Sequence, residues 1–261
     1  MRTLLLVVWV GLLSGYPSAQ AGIRREVVQY KQGSTALEGV LFYDDAMSTK
    51  RPGILVVHDW VGRGPFSESQ AEKLAKMGYV AFAADIYGQG ILAKDATEAA
   101  KFSGFYKSDR ALMRARAKAG LDFLAKNARV DSSKLGAIGF CFGGTTVLEL
   151  ARSGAPLKAT VSFHGGLDTP TPGDAKNILG KVLALHGGND PLVSAQDTLA
   201  FQDEMRAAKV DWQFHAFGGA LHGFMNPGSG NDPSKGVAYD ARAARRAWQQ
   251  MKLFFDEIFS L

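Results

Sequence analysis

One cysteine occurs in 261 residues, so no disulfide can form within the chain. Residues of either charge are scattered, no run of Lys or Arg exceeds two, and the net charge is only +5. A nucleic-acid partner would call for a concentrated basic patch, and none is present. The sequence lacks His-Glu-x-x-His, Cys-x-x-Cys and comparable ligand spacings, so no metal is expected. It also lacks Gly-x-Gly-x-x-Gly and the Gly-x-x-x-x-Gly-Lys-Ser/Thr loop, so no nucleotide cofactor is expected either. The longest apolar run, Thr3 to Leu13, is too short to cross ~30 Å of hydrocarbon. It follows Met1-Arg2 and precedes Ala19-Gln20-Ala21. That order is expected of a secretory signal peptide over residues 1–21, cut after Ala21 and leaving a mature domain over 22–261 without a membrane anchor. The protein is then exported, periplasmic or secreted. A lone cysteine in an exported chain is a candidate reactive thiol.

The mature sequence alternates strand-like and helix-like stretches. Glu26 to Tyr30 and Ala36 to Tyr43 alternate apolar and polar residues, as an antiparallel hairpin at a sheet edge does. Short apolar runs follow at Gly53 to His58, Tyr79 to Ala84, Leu135 to Phe140, Ala159 to Phe163 and Val182 to His186. Trp212 to Phe217 closes the series. Continuous apolar strands suit a parallel sheet covered on both faces. Helical patterns fall at Phe66 to Met77, after a Ser108 cap with Leu112, Ala115, Ala119 and Phe123 on one face, at Thr145 to Ala151, and at Thr198 to Ala208. A last helix carries Tyr239, Ala243, Ala247, Met251, Phe255 and Ile258 as its apolar stripe. The expected fold is one α/β domain: a mostly parallel sheet of about eight strands with helices on both faces. Thr169 to Gly173 and Asn226 to Gly236 read as surface loops, the second close enough to His222 to flank a site.

Strand Leu135 to Phe140 runs into Gly139-Phe140-Cys141-Phe142-Gly143-Gly144, and a helix follows. Gly-x-nucleophile-x-Gly at a strand-to-helix turn holds a side chain above the sheet, and the two glycines let the turn close. The helix amino terminus favours a thiolate there. Asp190, in His186-Gly-Gly-Asn-Asp-Pro, and His222, in Leu221-His-Gly-Phe, each follow a strand, at the end of the sheet where open α/β folds bind ligands. The order nucleophile, acid, histidine is that of α/β-hydrolases. In this arrangement His222 moves the proton, Asp190 orients it, and the Phe142 N–H donates to the oxyanion with a second N–H from the loop after Gly53 to His58. His58, His164 and His186 end apolar strands and suit supporting roles. His215, in mid-strand, suits packing or the surface.

These segments, with Gly53 to Trp60 and Asp85-Ile-Tyr-Gly88, resemble the dienelactone hydrolase (carboxymethylenebutenolidase) family over essentially the whole mature chain. The resemblance implies a Cys141, Asp190 and His222 triad, a second oxyanion N–H from Trp60, and no cofactor. It gives Asp59 the place of an acidic residue, typically Glu, that controls thiol ionisation. A carboxylate beside sulfur opposes its charging, whereas the helix dipole favours it. The family's two carboxylate-binding arginines correspond to Gln89 and Asn226, neither charged. Arg63 is a candidate substitute, and Tyr87, His164 and Phe224 are further pocket candidates. The expected substrate is therefore a small ester or lactone, neutral as readily as anionic, bound by a monomer or weak dimer. Two rivals are a non-catalytic binding protein of this fold and a thiol redox protein. A complete triad weighs against the first, and the absence of a second cysteine against the second.

Overall fold

The computed structural model describes residues 22–260, so the expected signal peptide lies outside the described residues. Eight strands form one sheet: β1 (Ile23–Gln32), β2 (Thr35–Asp44), β3 (Arg51–Val57), β4 (Val80–Ala84), β5 (Val130–Phe140), β6 (Ala159–Phe163), β7 (Lys181–Gly187) and β8 (Trp212–Phe217). Their spatial order is β1-β2-β4-β3-β5-β6-β7-β8. β1 and β2 pair as an antiparallel hairpin, and β2 runs antiparallel to β4. Every later pairing is parallel. The expected architecture is the one observed.

Strand alternation sorts side chains between two faces. Ile54, Val56, Ile138 and Phe140 enter one core with Leu74 of α1 (Pro65–Lys76) and Met251 and Phe255 of the last helix. Their neighbours Leu55, Val57, Leu135 and Ala137 enter the other core. There they meet Met113 and Leu121 of α3 (Arg110–Ala125) and Val147 and Leu150 of α4 (Phe142–Arg152). Between α1 and α3, α2 spans Ala96–Ser108. On the α4 side, α5 (Ala195–Ala207) packs Phe201 and Met205 on Val182 and Ala184 of β7. The last helix, α6, spans Ala241–Phe259.

Two helix starts differ from expectation. Ser108 caps nothing: it ends α2, where its hydroxyl donates to the Phe105 carbonyl at 2.8 Å. Asp109 caps α3 instead by accepting from the Leu112 N–H at 2.9 Å, because a carboxylate takes an orphan helix N–H more strongly than a hydroxyl already used behind it. Tyr239 lies outside α6, since the Asp240 carboxylate accepts from the N–H groups of Arg242 and Ala243 and starts the helix after it.

Candidate active site

β5 delivers Cys141 and α4 leaves from it. The turn between them forces Cys141 to φ 53°, a backbone conformation that non-glycine residues rarely hold. Closure depends on absent side chains. A Cβ at Gly139 would lie 2.0 Å from the Gly143 carbonyl oxygen, and one at Gly143 would lie 2.3 Å from that of Val57. The Cys141 N–H is held by the Phe163 carbonyl at 3.0 Å and by His164 Nδ1 at 3.1 Å. Cys141 is thus pinned above the end of the sheet with its side chain half-buried.

The loops after β7 and β8 bring two more residues to the sulfur. His222 Nε2 lies 3.0 Å from Cys141 Sγ, and His222 Nδ1 lies 2.8 Å from Asp190 Oδ2. Asp190 can only accept, so Nδ1 carries the hydrogen and Nε2 faces the sulfur. The other Asp190 oxygen accepts from the Leu192 N–H at 2.8 Å, which fixes the carboxylate. Burial alone would discharge His222. Attraction to a charged sulfur at Cys141 and the hydrogen bond that Nδ1 donates to Asp190 outweigh it and raise the imidazole from 6.5 to about 10. That direction favours the protonated imidazole beside the sulfur.

A cleft of about 440 Å³ opens over these residues. Its walls include Asp59, Trp60, Val61, His164, Leu192 and Asn226, along with Cys141 and His222. No Lys or Arg is among the lining residues. A hollow of about 500 Å³ between β1 and α3 is walled by Lys31, Lys118 and Lys126 but contains no cysteine or histidine. Chemistry, not size, selects between the two.

The remaining expected residues divide clearly. Asp59 lines the cleft, but its carboxylate accepts from the Val61 N–H and the Asn226 side-chain amide, each at 3.0 Å. No hydrogen bond joins it to Cys141 among the described residues. Trp60 and Phe142 keep backbone N–H groups that donate to nothing among the described residues. His164 lines the cleft and is buried, and burial holds its pKa well below 6.5. Arg63 is not a cleft wall: it bridges Glu38 and Glu68, each at 2.6 Å, which consumes its charge. Gln89 is exposed and reaches Glu38, while Phe224 is fully buried against His164 and Phe217. Tyr87 lies behind the cleft, where its hydroxyl donates to the Trp60 carbonyl at 3.0 Å. Val61, Leu192, Ser229 and Val237 line the cleft without having been singled out in the sequence. Two of them had a signal: Leu192 lies two residues past Asp190, and Ser229 lies in the Asn226 to Gly236 loop expected to flank the site.

A mostly parallel sheet with a strained strand-to-helix turn at Cys141 after β5, and with Asp190 and His222 on the loops after β7 and β8, defines an α/β-hydrolase. The comparisons narrow the class. The dienelactone hydrolase family matches residues 37–259, and the chain belongs to that family of ester and lactone hydrolases. A solved structure called m3DLH shares 41% identity at a TM-score of 0.88, covering 91% of this chain and 99% of its own. A dienelactone hydrolase-like promiscuous phosphotriesterase, P91 from metagenomic libraries, shares 42% at a TM-score of 0.86 with the same coverage. A Synechocystis protein provisionally named carboxymethylenebutenolidase is 29% identical over 228 residues, 78% of this chain and 85% of its own.

Proposed function

We propose that this hydrolase cleaves small uncharged carboxylic esters and lactones through a thioester on Cys141. The supporting observation is the continuous chain from Cys141 Sγ to His222 at 3.0 Å and on to Asp190 at 2.8 Å, carried on a strained turn. The sulfur, as a thiolate, attacks the carbonyl carbon, and the carbonyl electron pair moves to oxygen. The N–H groups of Phe142 and Trp60 receive that oxyanion. Collapse breaks the bond to the alcohol, which takes the proton from His222. Water then gives a proton to His222 and attacks the thioester, and the sulfur leaves as the acid is released. For a lactone, the alcohol stays tethered until that second step.

The uncharged substrate follows from the walls. With no Lys or Arg lining the cleft and the Asp59 carboxylate at its edge, a substrate carboxylate meets repulsion and no bidentate partner. The same walls suit a neutral phosphotriester, the substrate class in the description of P91. Hydrolysis of p-nitrophenyl acetate by the mature protein, lost in Cys141→Ala with unchanged circular dichroism, is the expected result. Full activity in that variant refutes the cysteine route, and inactivity on a broad ester and lactone panel favours a binding protein. A strong preference for the carboxylate member of paired substrates refutes the neutral-substrate assignment. We also propose export, on the amino-terminal pattern; secreted or periplasmic protein whose mass begins at Gly22 is the expected product.

A further inference from the structure

We propose that His58 and Tyr87 are positioning residues that clamp the Trp60 N–H in place as an oxyanion donor. This rests on the cysteine reading above. The peptide joining Asp59 to Trp60 has the Asp59 carbonyl at one end and the Trp60 N–H at the other, in one plane. His58 Nδ1 lies 2.6 Å from that carbonyl oxygen. A carbonyl only accepts, so Nδ1 carries the hydrogen. His58 Nε2 lies 3.2 Å from the Ile86 N–H, which only donates, so Nε2 is bare. Both partners require the same neutral tautomer. His58 is fully buried, and burial keeps it uncharged. Gaining a second proton would break the Ile86 bond.

Tyr87 holds the next peptide plane. Its hydroxyl donates to the Trp60 carbonyl at 3.0 Å. Burial raises its pKa, so the phenol stays a donor. Trp60 is thus fixed by side chains on both sides, although 37% of it is exposed. The clamp is itself braced. His58 and Tyr87 meet edge to face with ring centroids 4.7 Å apart. Asp85 accepts from the Gly88 N–H at 2.9 Å, and the Tyr106 hydroxyl donates to the Tyr87 carbonyl at 3.0 Å. Phe142, which owns the other free amide, stacks on His58 at 5.8 Å and touches Tyr87 at 5.3 Å. One buried aromatic cluster therefore sets both oxyanion amides. A loop peptide left unpinned would rotate its N–H away and lose the preorganisation on which such donors depend.

The test uses His58→Phe, which keeps the ring packing and removes the donor, and His58→Asn, whose amide nitrogen can stand where Nδ1 stood. Steady-state kinetics on p-nitrophenyl acetate are paired with the rate of Cys141 alkylation by iodoacetamide, a displacement that forms no oxyanion. Deleting an oxyanion donor outright lowers kcat by roughly 10²–10³-fold. A loosened donor is expected to lower it about ten- to a hundredfold, with KM little changed. Alkylation should stay within about twofold of wild type, and His58→Asn should recover most of kcat. Tyr87→Phe should shift kcat the same way by less, and it decides the matter if His58→Phe does not fold. Folded His58→Phe with wild-type kcat overturns the clamp. So does alkylation that falls in step with kcat, because the damage then lies at the Cys141–His222 pair. Wild-type activity that survives complete alkylation overturns the cysteine reading and the clamp with it. Activity lost on alkylation but untouched by His58→Phe overturns the clamp alone.

Discussion

The two ends of α4 handle charge in opposite ways. At the carboxyl end, Arg152 and Glu149 have side chains with 0% exposure. Arg152 bonds Glu204 at 2.8 Å through two nitrogens, Glu149 at 3.0 Å and the Leu167 carbonyl at 3.2 Å. Arg114 reaches the second Glu149 oxygen at 2.8 Å and Asp174 at 2.7 Å. Each carboxylate meets a guanidinium there, and the backbone is ordinary helix. At the amino end Cys141 sits at positive φ, His222 holds a proton against its burial, and the amides of Phe142 and Trp60 donate to nothing among the described residues. Satisfied buried charge anchors the helix, whereas strain and unused donors at its other end are what the proposed chemistry requires. One end should therefore tolerate changes in activity without loss of fold, and the other the reverse.

Cys141→Gly tests this most severely. Glycine adopts φ 53° without strain, so the variant should melt at or above the wild-type temperature, with a gain of about 1 kcal/mol. Its kcat should fall by at least about 10⁴-fold. A variant that melts lower would show that the turn stores no strain. Asp190→Asn should follow, at roughly 10³–10⁴-fold in kcat, because an amide can donate to Nδ1 and hold His222 in the wrong tautomer. Arg152→Ala belongs to the other end. It strips the buried Glu204 carboxylate of its guanidinium and leaves Glu149 with Arg114 alone, and it should destabilise the fold by about 3–5 kcal/mol in thermal or denaturant melts. The molecules that remain folded should keep kcat within a few-fold. Replacing Arg152, Glu149 and Glu204 together with apolar residues should recover most of the stability, since an unpaired charge costs more than a missing pair.

The same contrast explains what could be read from the sequence. Strand periodicity, the glycines at 139 and 143, and the order of Cys141, Asp190 and His222 are local patterns, and local patterns carried the sheet and the meeting of those three residues. α2 was not expected because its apolar stripe is short, Ala99, Phe102 and Tyr106, and is interrupted by Ser103 and Gly104. Arg63 was plausible by position, but its charge is consumed by Glu38 and Glu68, which approach from β2 and α1. Asp59 matched the family position, yet Asn226, 167 residues away, takes its carboxylate. Pairings between side chains so distant leave no trace in spacing. The Arg152 network was invisible for the same reason, since Glu204 lies 52 residues along the chain.

The two ends of α4 should also differ in how their stability depends on pH. His222 titrates at about 10 in the folded protein and near 6.5 when unfolded. A raised folded value means that the folded state holds the proton more tightly, so the stability it contributes is fully present below pH 6.5. It is lost progressively as pH rises from 6.5 through about 10. The difference in melting temperature between wild type and His222→Gln should therefore be constant below pH 6.5 and narrow steadily toward pH 10. A guanidinium does not lose its proton in that range, so the gap between wild type and Arg152→Ala should not narrow where the His222 gap closes. Melting curves of the three proteins from pH 5.5 to 10 decide it. A His222 gap that widens with pH would mean that the imidazole is held neutral beside the sulfur, and the division between a satisfied and a poised end of α4 would lose its electrostatic basis.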